Sequence, residues 1–223
     1  MGIGVGQFSM NRMMILLSGA VLPVLFGAGI GTSSQYPQWR AKVDEFRQFK
    51  GHAEIVMFGD SLTAHGNWQE MFPKLSTINR GISGERVDSA LLRLGEITAA
   101  RPRLVFIMLG VNDIRRSVNP DRVAASYGRI IDRLAVVDAI VVQSTLFTSD
   151  MAFNSAIKRL NGSLAARCSQ VANCRFLDLN AALSRNDRIR PEFTTDGIHL
   201  NGDGYRAWEH QIRPMMAAIP AEQ

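Results

Sequence analysis

Two cysteines and four histidines are all that the 223 residues offer a soft metal, and none of them cluster at zinc-site spacing. No metal or other cofactor is called for. There is also no glycine-rich loop of the kind that cradles phosphate, so phosphoester and nuclease chemistry lacks both of its usual supports. Basic residues outnumber acidic ones, 25 to 20, giving a formal charge of +5 and a pI near 9.7. The arginines are nevertheless scattered, and no basic run is interleaved with aromatics. The stripe needed to track a phosphate backbone is missing, so nucleic acid is not an expected partner. Internal repeats, low-complexity tracts, linkers and an aromatic sugar-binding platform are absent too. What remains is a chain that is 46% hydrophobic and 20% charged, which fits one globular domain with an ordinary core.

One stretch departs from the otherwise short apolar runs. Residues 13–31 read MMILLSGAVLPVLFGAGIG, without charge, directly after Arg12. A positive residue, an apolar centre and small residues at Gly29 and Gly31 describe a secretory signal. The run is also nearly long enough to cross a bilayer. Residues 1–31 are therefore read as a signal peptide or N-terminal membrane anchor, with Pro23 and the small residues favouring cleavage, and residues 32–223 as the working domain. A start at Met10 would give a more compact signal. Either way the domain belongs outside the cytoplasm, secreted or periplasmic, and touches membrane only through this segment. In an oxidising compartment Cys168 and Cys174 could pair across a short loop. Two separate buried thiols fit equally, because spacing does not supply the distance a disulfide needs.

The remaining pattern alternates strands and helices. Residues 54–58, 104–109 and 139–142 are apolar runs that read as buried strands, with a weaker strand at 76–79 and a last short one at 175–179. Residues 37–50 suggest a short surface helix carrying Trp39, Val43 and Phe46. Helical spacing marks residues 85–97 (Val87, Leu91, Leu94, Ile97), 121–137, the stretch through Phe153, Ile157, Leu160 and Leu164, and 205–216. This order predicts an α/β fold: three α/β/α layers around a parallel sheet of about five strands. Such sheets bind ligands at the carboxyl ends of their strands.

Four short segments fall there. Residues 58–63 read Phe-Gly-Asp-Ser-Leu-Thr, 79–84 Asn-Arg-Gly-Ile-Ser-Gly, 109–113 Leu-Gly-Val-Asn-Asp, and 195–200 Thr-Asp-Gly-Ile-His-Leu. A serine hydroxyl becomes a nucleophile when a base takes its proton, and His199 is the natural base for Ser61. Asp196, three residues earlier, can hold the imidazole in the right tautomer, with Gly197 letting the loop bend. Attack on a carbonyl creates an oxyanion, which the backbone N–H groups of Ser61 and Gly84 and the Asn112 side-chain amide could receive.

With these residues in this order, the chain resembles the SGNH (GDSL-type) esterase and lipase superfamily over roughly residues 52–213. Its four blocks correspond to Ser61, Gly84, Asn112 and the Asp196–His199 pair, and no required position is missing. The blocks look closest to bacterial single-domain members similar to platelet-activating-factor acetylhydrolase catalytic subunits. The resemblance implies a flavodoxin-like fold, no metal, and hydrolysis of a small-molecule ester, acetyl above all, through an acyl-enzyme. Export points to an acylated carbohydrate, such as an O-acetylated sugar or a cell-envelope glycan.

Each segment alone has a plainer reading. Gly59, Asp60 and Ser61 could be a strand-ending turn with a helix cap. Gly81 and Gly84 could be turn glycines, Asn112 and Asp113 a cap, and His199 a satisfied half-buried ring. Those readings leave unexplained why all four meet at one sheet edge. Around them, His65 and Asn67 read as exposed loop rather than pocket wall. Trp68, Phe72, Phe147 and Met151 read as core rather than an acyl wall, and Arg80 and Arg86 as solvated or ion-paired. Asp60 and Asp113 read as loop organisers, and His52 and His210 as structural. The same site could also serve an O-acyltransferase, or a lysophospholipase or thioesterase. A catalytically silent binding protein would instead tolerate loss of Ser61.

Overall fold

The structure, a computed structural model, describes residue 1 and residues 33–216. But for Met1, the leader read at residues 1–31 lies outside the described residues. Five parallel strands form the centre: β1 (Ile55–Gly59), β2 (Thr77–Gly81), β3 (Leu104–Met108), β4 (Ala139–Gln143) and β5 (Cys174–Leu177). Their order is β2-β1-β3-β4-β5, the flavodoxin-like arrangement, in which the direction of strand addition reverses between β1 and β3. The expected α/β class and strand number are both found.

The helices are α1 (Pro37–Gln48), α2 (Ser61–Ala64), α3 (Trp68–Met71), α4 (Val87–Ala90), α5 (Leu94–Ala99), α6 (Val111–Arg115), α7 (Pro120–Leu134), α8 (Met151–Cys168), α9 (Asn180–Leu183) and α10 (Gly202–Met216). Successive strand side chains point to opposite faces. On β1, Val56 and Phe58 join the core under α4, α5, α7 and α8. Ile55 and Met57 face α3 and α10, against Trp68, Trp208 and Ile212. Both long helices on the first face begin on side-chain caps. Asn119 accepts from the Asp121 N–H at 2.8 Å, with Pro120 in the first turn, and Asp150 accepts from Ala152 at 2.9 Å.

The single helix read over residues 85–97 is instead α4 and α5 separated by a 3-10 turn at Leu91–Arg93. The break goes with the inward turn of Arg93, whose guanidinium is fully buried against the Glu85 carboxylate. A two-stranded hairpin, β6 (Ser184–Arg185) with β7 (Arg188–Ile189), has no counterpart in the periodicity. Its turn residues Asn186 and Asp187 both sit at φ 54°, the conformation tight hairpins require and Asn and Asp tolerate. Cys168 and Cys174 are joined as a disulfide, tying the end of α8 to the start of β5.

Candidate active site

Ser61 opens α2 just beyond β1. Asp60 caps that helix, its Oδ1 accepting from the Leu62 N–H at 3.0 Å. The next strand must pass very close: a β-carbon at Gly81 would lie 2.2 Å from the Ala64 nitrogen. Gly81 is thus a close-approach glycine rather than the turn glycine expected of it. From the other side, Tyr205 of α10 donates its hydroxyl to the Leu62 C=O at 2.7 Å. Burial raises the pKa of that phenol above its ordinary value, with the Asp60 charge adding to the effect.

Asp196 and His199 lie in the loop before α10, with Gly197 at φ +85°. The backbone N–H groups of Ile198 and His199 donate to Asp196 Oδ1 at 3.0 and 2.7 Å. Its Oδ2 pairs with His199 Nδ1 at 2.7 Å. Desolvation opposes the charge of Asp196, but these three hydrogen bonds outweigh it and hold the carboxyl at about 2. The carboxylate can only accept, so Nδ1 carries the proton. In that tautomer the Nε2 lone pair faces Ser61, whose Oγ–H donates to it at 2.9 Å.

Gly84 follows β2 at φ +74°, where a side chain would be strained. Its C=O accepts from Ser33 Oγ at 3.2 Å. Asn112 lies in α6 after β3, and its Nδ2 donates to the Glu85 C=O at 3.0 Å, tying that helix to the Gly84 loop. Ser61 is the first residue of its helix, where an N–H has no partner four residues back. Ser61, His199 and Asp196 are therefore joined by direct hydrogen bonds, while Asn112 and Gly84 meet through Glu85.

The Gly84 loop has a support that its sequence did not announce. Glu85 is wholly buried, receives the Trp39 indole N–H at 2.7 Å and pairs with Arg93. Arg93 also donates to the Arg80 C=O at 2.8 Å. One arginine within an amphipathic stretch carries no sign of such a role. Tyr205 was equally unmarked.

Asp60 and Asp113 organise loops, as expected. Asp113 accepts from the Val87 N–H at 3.1 Å. Burial raises both carboxyls to about 7; for Asp60 the charges of Glu85 and Asp113 add to it. Arg86 pairs with Asp88 at 2.8 Å. Arg80 departs from the expectation of a solvated or ion-paired side chain. It is buried, donates to the Phe49 C=O at 3.3 Å and lies 4.6 Å from the centre of the Phe46 ring, because α1 covers this edge of the sheet. Trp68, Phe72 and Phe147 are core, whereas Met151 is exposed. His52 and His210 are exposed. His65 and Asn67 are exposed but also border an open cavity of about 380 Å³, and the His65 ring centre lies 5.5 Å from that of His199. Among the described residues, no group of three or more His, Cys, Asp or Glu could hold a metal ion.

Comparison with known proteins places this geometry in context. The profile of the GDSL-like Lipase/Acylhydrolase family matches residues 57–207. The alpha2 subunit of platelet-activating factor acetylhydrolase IB from Rattus norvegicus is 24% identical over 164 residues, covering 68% of this chain and 71% of the rat protein. Among solved structures, a GDSL-like lipase from Bacteroides thetaiotaomicron superimposes with a TM-score of 0.67 at 20% identity, over 80% of this chain and 97% of that one. A catalytic mutant of an acetylxylan esterase from Geobacillus stearothermophilus gives 0.63 at 19%, over 78% and 98%. At these identities the structural likenesses speak for the fold.

Proposed function

This chain belongs to the GDSL-like lipase/acylhydrolase family and is an ester hydrolase, and we propose that it cleaves small, acetyl-like carboxylic esters through an acyl-enzyme on Ser61. The hydrogen-bonded chain Ser61–His199–Asp196, at 2.9 and 2.7 Å, is the observation that carries this reading. Ser61 Oγ attacks the ester carbonyl carbon while His199 Nε2 takes its proton. Asp196 keeps the ring oriented and stabilises the imidazolium that forms. The carbonyl oxygen becomes an oxyanion, received by the N–H groups of Ser61 and Gly84 and by Asn112 Nδ2. As the tetrahedral centre collapses, the ester C–O bond breaks and the alcohol leaves with the proton from His199. Water then repeats the sequence on the acyl-serine, releasing the acid and restoring the hydroxyl.

Acetyl is favoured as the acyl group because similar proteins include platelet-activating factor acetylhydrolase subunits and an acetylxylan esterase. We take the alcohol to be a sugar or cell-envelope glycan met outside the cytoplasm. The apolar segment at residues 13–31 and the Cys168–Cys174 disulfide both suit an exported protein. The test is turnover of p-nitrophenyl esters from acetate to decanoate by the full-length protein, with Ser61→Ala in parallel. Acetate should be the best substrate and the alanine variant should fall to background. Preference for a longer ester would replace the acetyl reading with a lysophospholipase or thioesterase. Equal turnover by both proteins would remove Ser61 from the mechanism.

A further inference from the structure

Resting on the esterase reading, we propose that the cavity walled by His65, the neighbour of His199, receives the alcohol half of the substrate, and that this alcohol carries an anionic oxygen group, carboxylate or phosphate, held by Arg206. His199 Nε2 returns the proton to the departing alkoxide, so the alcohol must lie against this ring. The proposed oxyanion donors Gly84 and Asn112 follow β2 and β3, and neither lines the cavity. The cavity of about 380 Å³ opens on the α10 side, with Asn67, Met71, Tyr205, Arg206 and Glu209 in its wall. His65, which joins the wall to the triad, lies 5.5 Å from the His199 ring centre to centre.

The commitments of these side chains decide what the cavity prefers. Glu209 is paired with Arg213, one turn further along α10. Tyr205 spends its hydroxyl on the Leu62 C=O at 2.7 Å. Asn67 begins α3 without using its side chain as a cap. Among the described residues, Arg206 forms no salt bridge, although it is a cation exposed at the mouth. The groups left uncommitted are therefore a guanidinium, which can only donate through its planar fork, and an amide and an imidazole, each able to donate as well. That set suits an acceptor-rich anion better than a cationic or purely apolar alcohol. The formal charge of +5 adds a long-range attraction of the same sign.

Binding and turnover together test this. Glucuronate, glucose 6-phosphate and glucose would be titrated into the full-length protein by calorimetry, and kcat/KM compared for the acetyl esters of glucuronate and glucose. At least one anion should bind about tenfold more tightly than glucose, the scale of a charge-assisted contact, and the esters should follow the same order. Glucuronate against glucose 6-phosphate separates carboxylate from phosphate. Arg206→Met should abolish the preference, and Arg129→Met, on the far helix α7, should keep it. Glucose binding as tightly as both anions, or a preference that survives Arg206→Met, would overturn the proposal. p-Nitrophenyl acetate turnover on the same samples separates the two readings. Turnover without anion preference sinks only the subsite, whereas anion preference without turnover sinks the esterase reading and leaves the anion site standing.

Discussion

Asn112 commits one amide hydrogen to the Glu85 C=O at 3.0 Å, which leaves the second for an oxyanion. Asn112→Ala should therefore lower kcat by roughly 10²–10³ with little change in KM, because in the proposed mechanism the lost contact belongs to the transition state. Steady-state kinetics on p-nitrophenyl acetate would check this, and a loss confined to KM would contradict it. Asp60 raises a different question, because its carboxyl is fully buried and is pushed up to about 7 from an ordinary 3.8, mainly by desolvation. Between about pH 4 and 7 the unfolded chain would ionise at this position while the folded chain stays protonated. The contribution of Asp60 to stability is then fully present below pH 4 and is lost as pH rises to 7. Asp60→Asn cannot ionise, yet its oxygen can still accept from Leu62. Urea midpoints measured at pH 5 and pH 8 should show the variant gaining on wild type at the higher pH. A pH-independent difference would mean that the carboxyl titrates normally.

Among the elements, α2 matters most, because its four residues carry the proposed nucleophile and three constraints hold them. Asp60 caps the helix, Tyr205 holds the Leu62 C=O, and Gly81 lets β2 pass close enough to pack against it. A methyl at Gly81 would meet backbone rather than a yielding side chain, with Ala64 N at 2.2 Å. Gly81→Ala should cost about 1–3 kcal/mol in stability, as overpacking does. It should also reduce turnover by more than that stability loss explains, because Ser61 moves with α2. Comparing kcat under conditions where the variant is fully folded would separate the two effects. The four blocks were legible in sequence because each gathers characteristic residues within a few positions, although Gly81 reads there as a turn glycine and the close approach to α2 does not show. The interruption between α4 and α5 was not, since the spacing of Val87, Leu91, Leu94 and Ile97 is that of an unbroken helix. At the break Arg93 turns inward to pair with Glu85 and to donate to the Arg80 and Gly59 carbonyls, partners that helical spacing does not reveal.

Across the whole molecule, the disulfide staples the last helix of one face to the outermost strand β5 through a loop with a sequence separation of 6. The loop is short, so its removal should cost about 2 kcal/mol by chain-entropy arguments. For a domain of this size that corresponds to a fall in Tm of roughly 4–8 °C. Cys168→Ser with Cys174→Ser should show this by calorimetry while keeping p-nitrophenyl acetate turnover, since neither cysteine belongs to the site. An unchanged Tm would assign the bond no stabilising role. Fold class was readable from the alternation of apolar runs with helical periodicity, and the candidate residues from their motifs, because both are written in neighbouring positions. The pairing of Cys168 with Cys174 could not be read that way, nor could Arg80 as a buried cation on Phe46 or the hydroxyl of Tyr205 reaching α2. Each depends on how close separate elements come. Ser61 and His199 stand 138 positions apart. Sequence could name both, but the 2.9 Å between them depends on the packing of α10 against β1 and α3, which brings the loop before α10 to the end of β1.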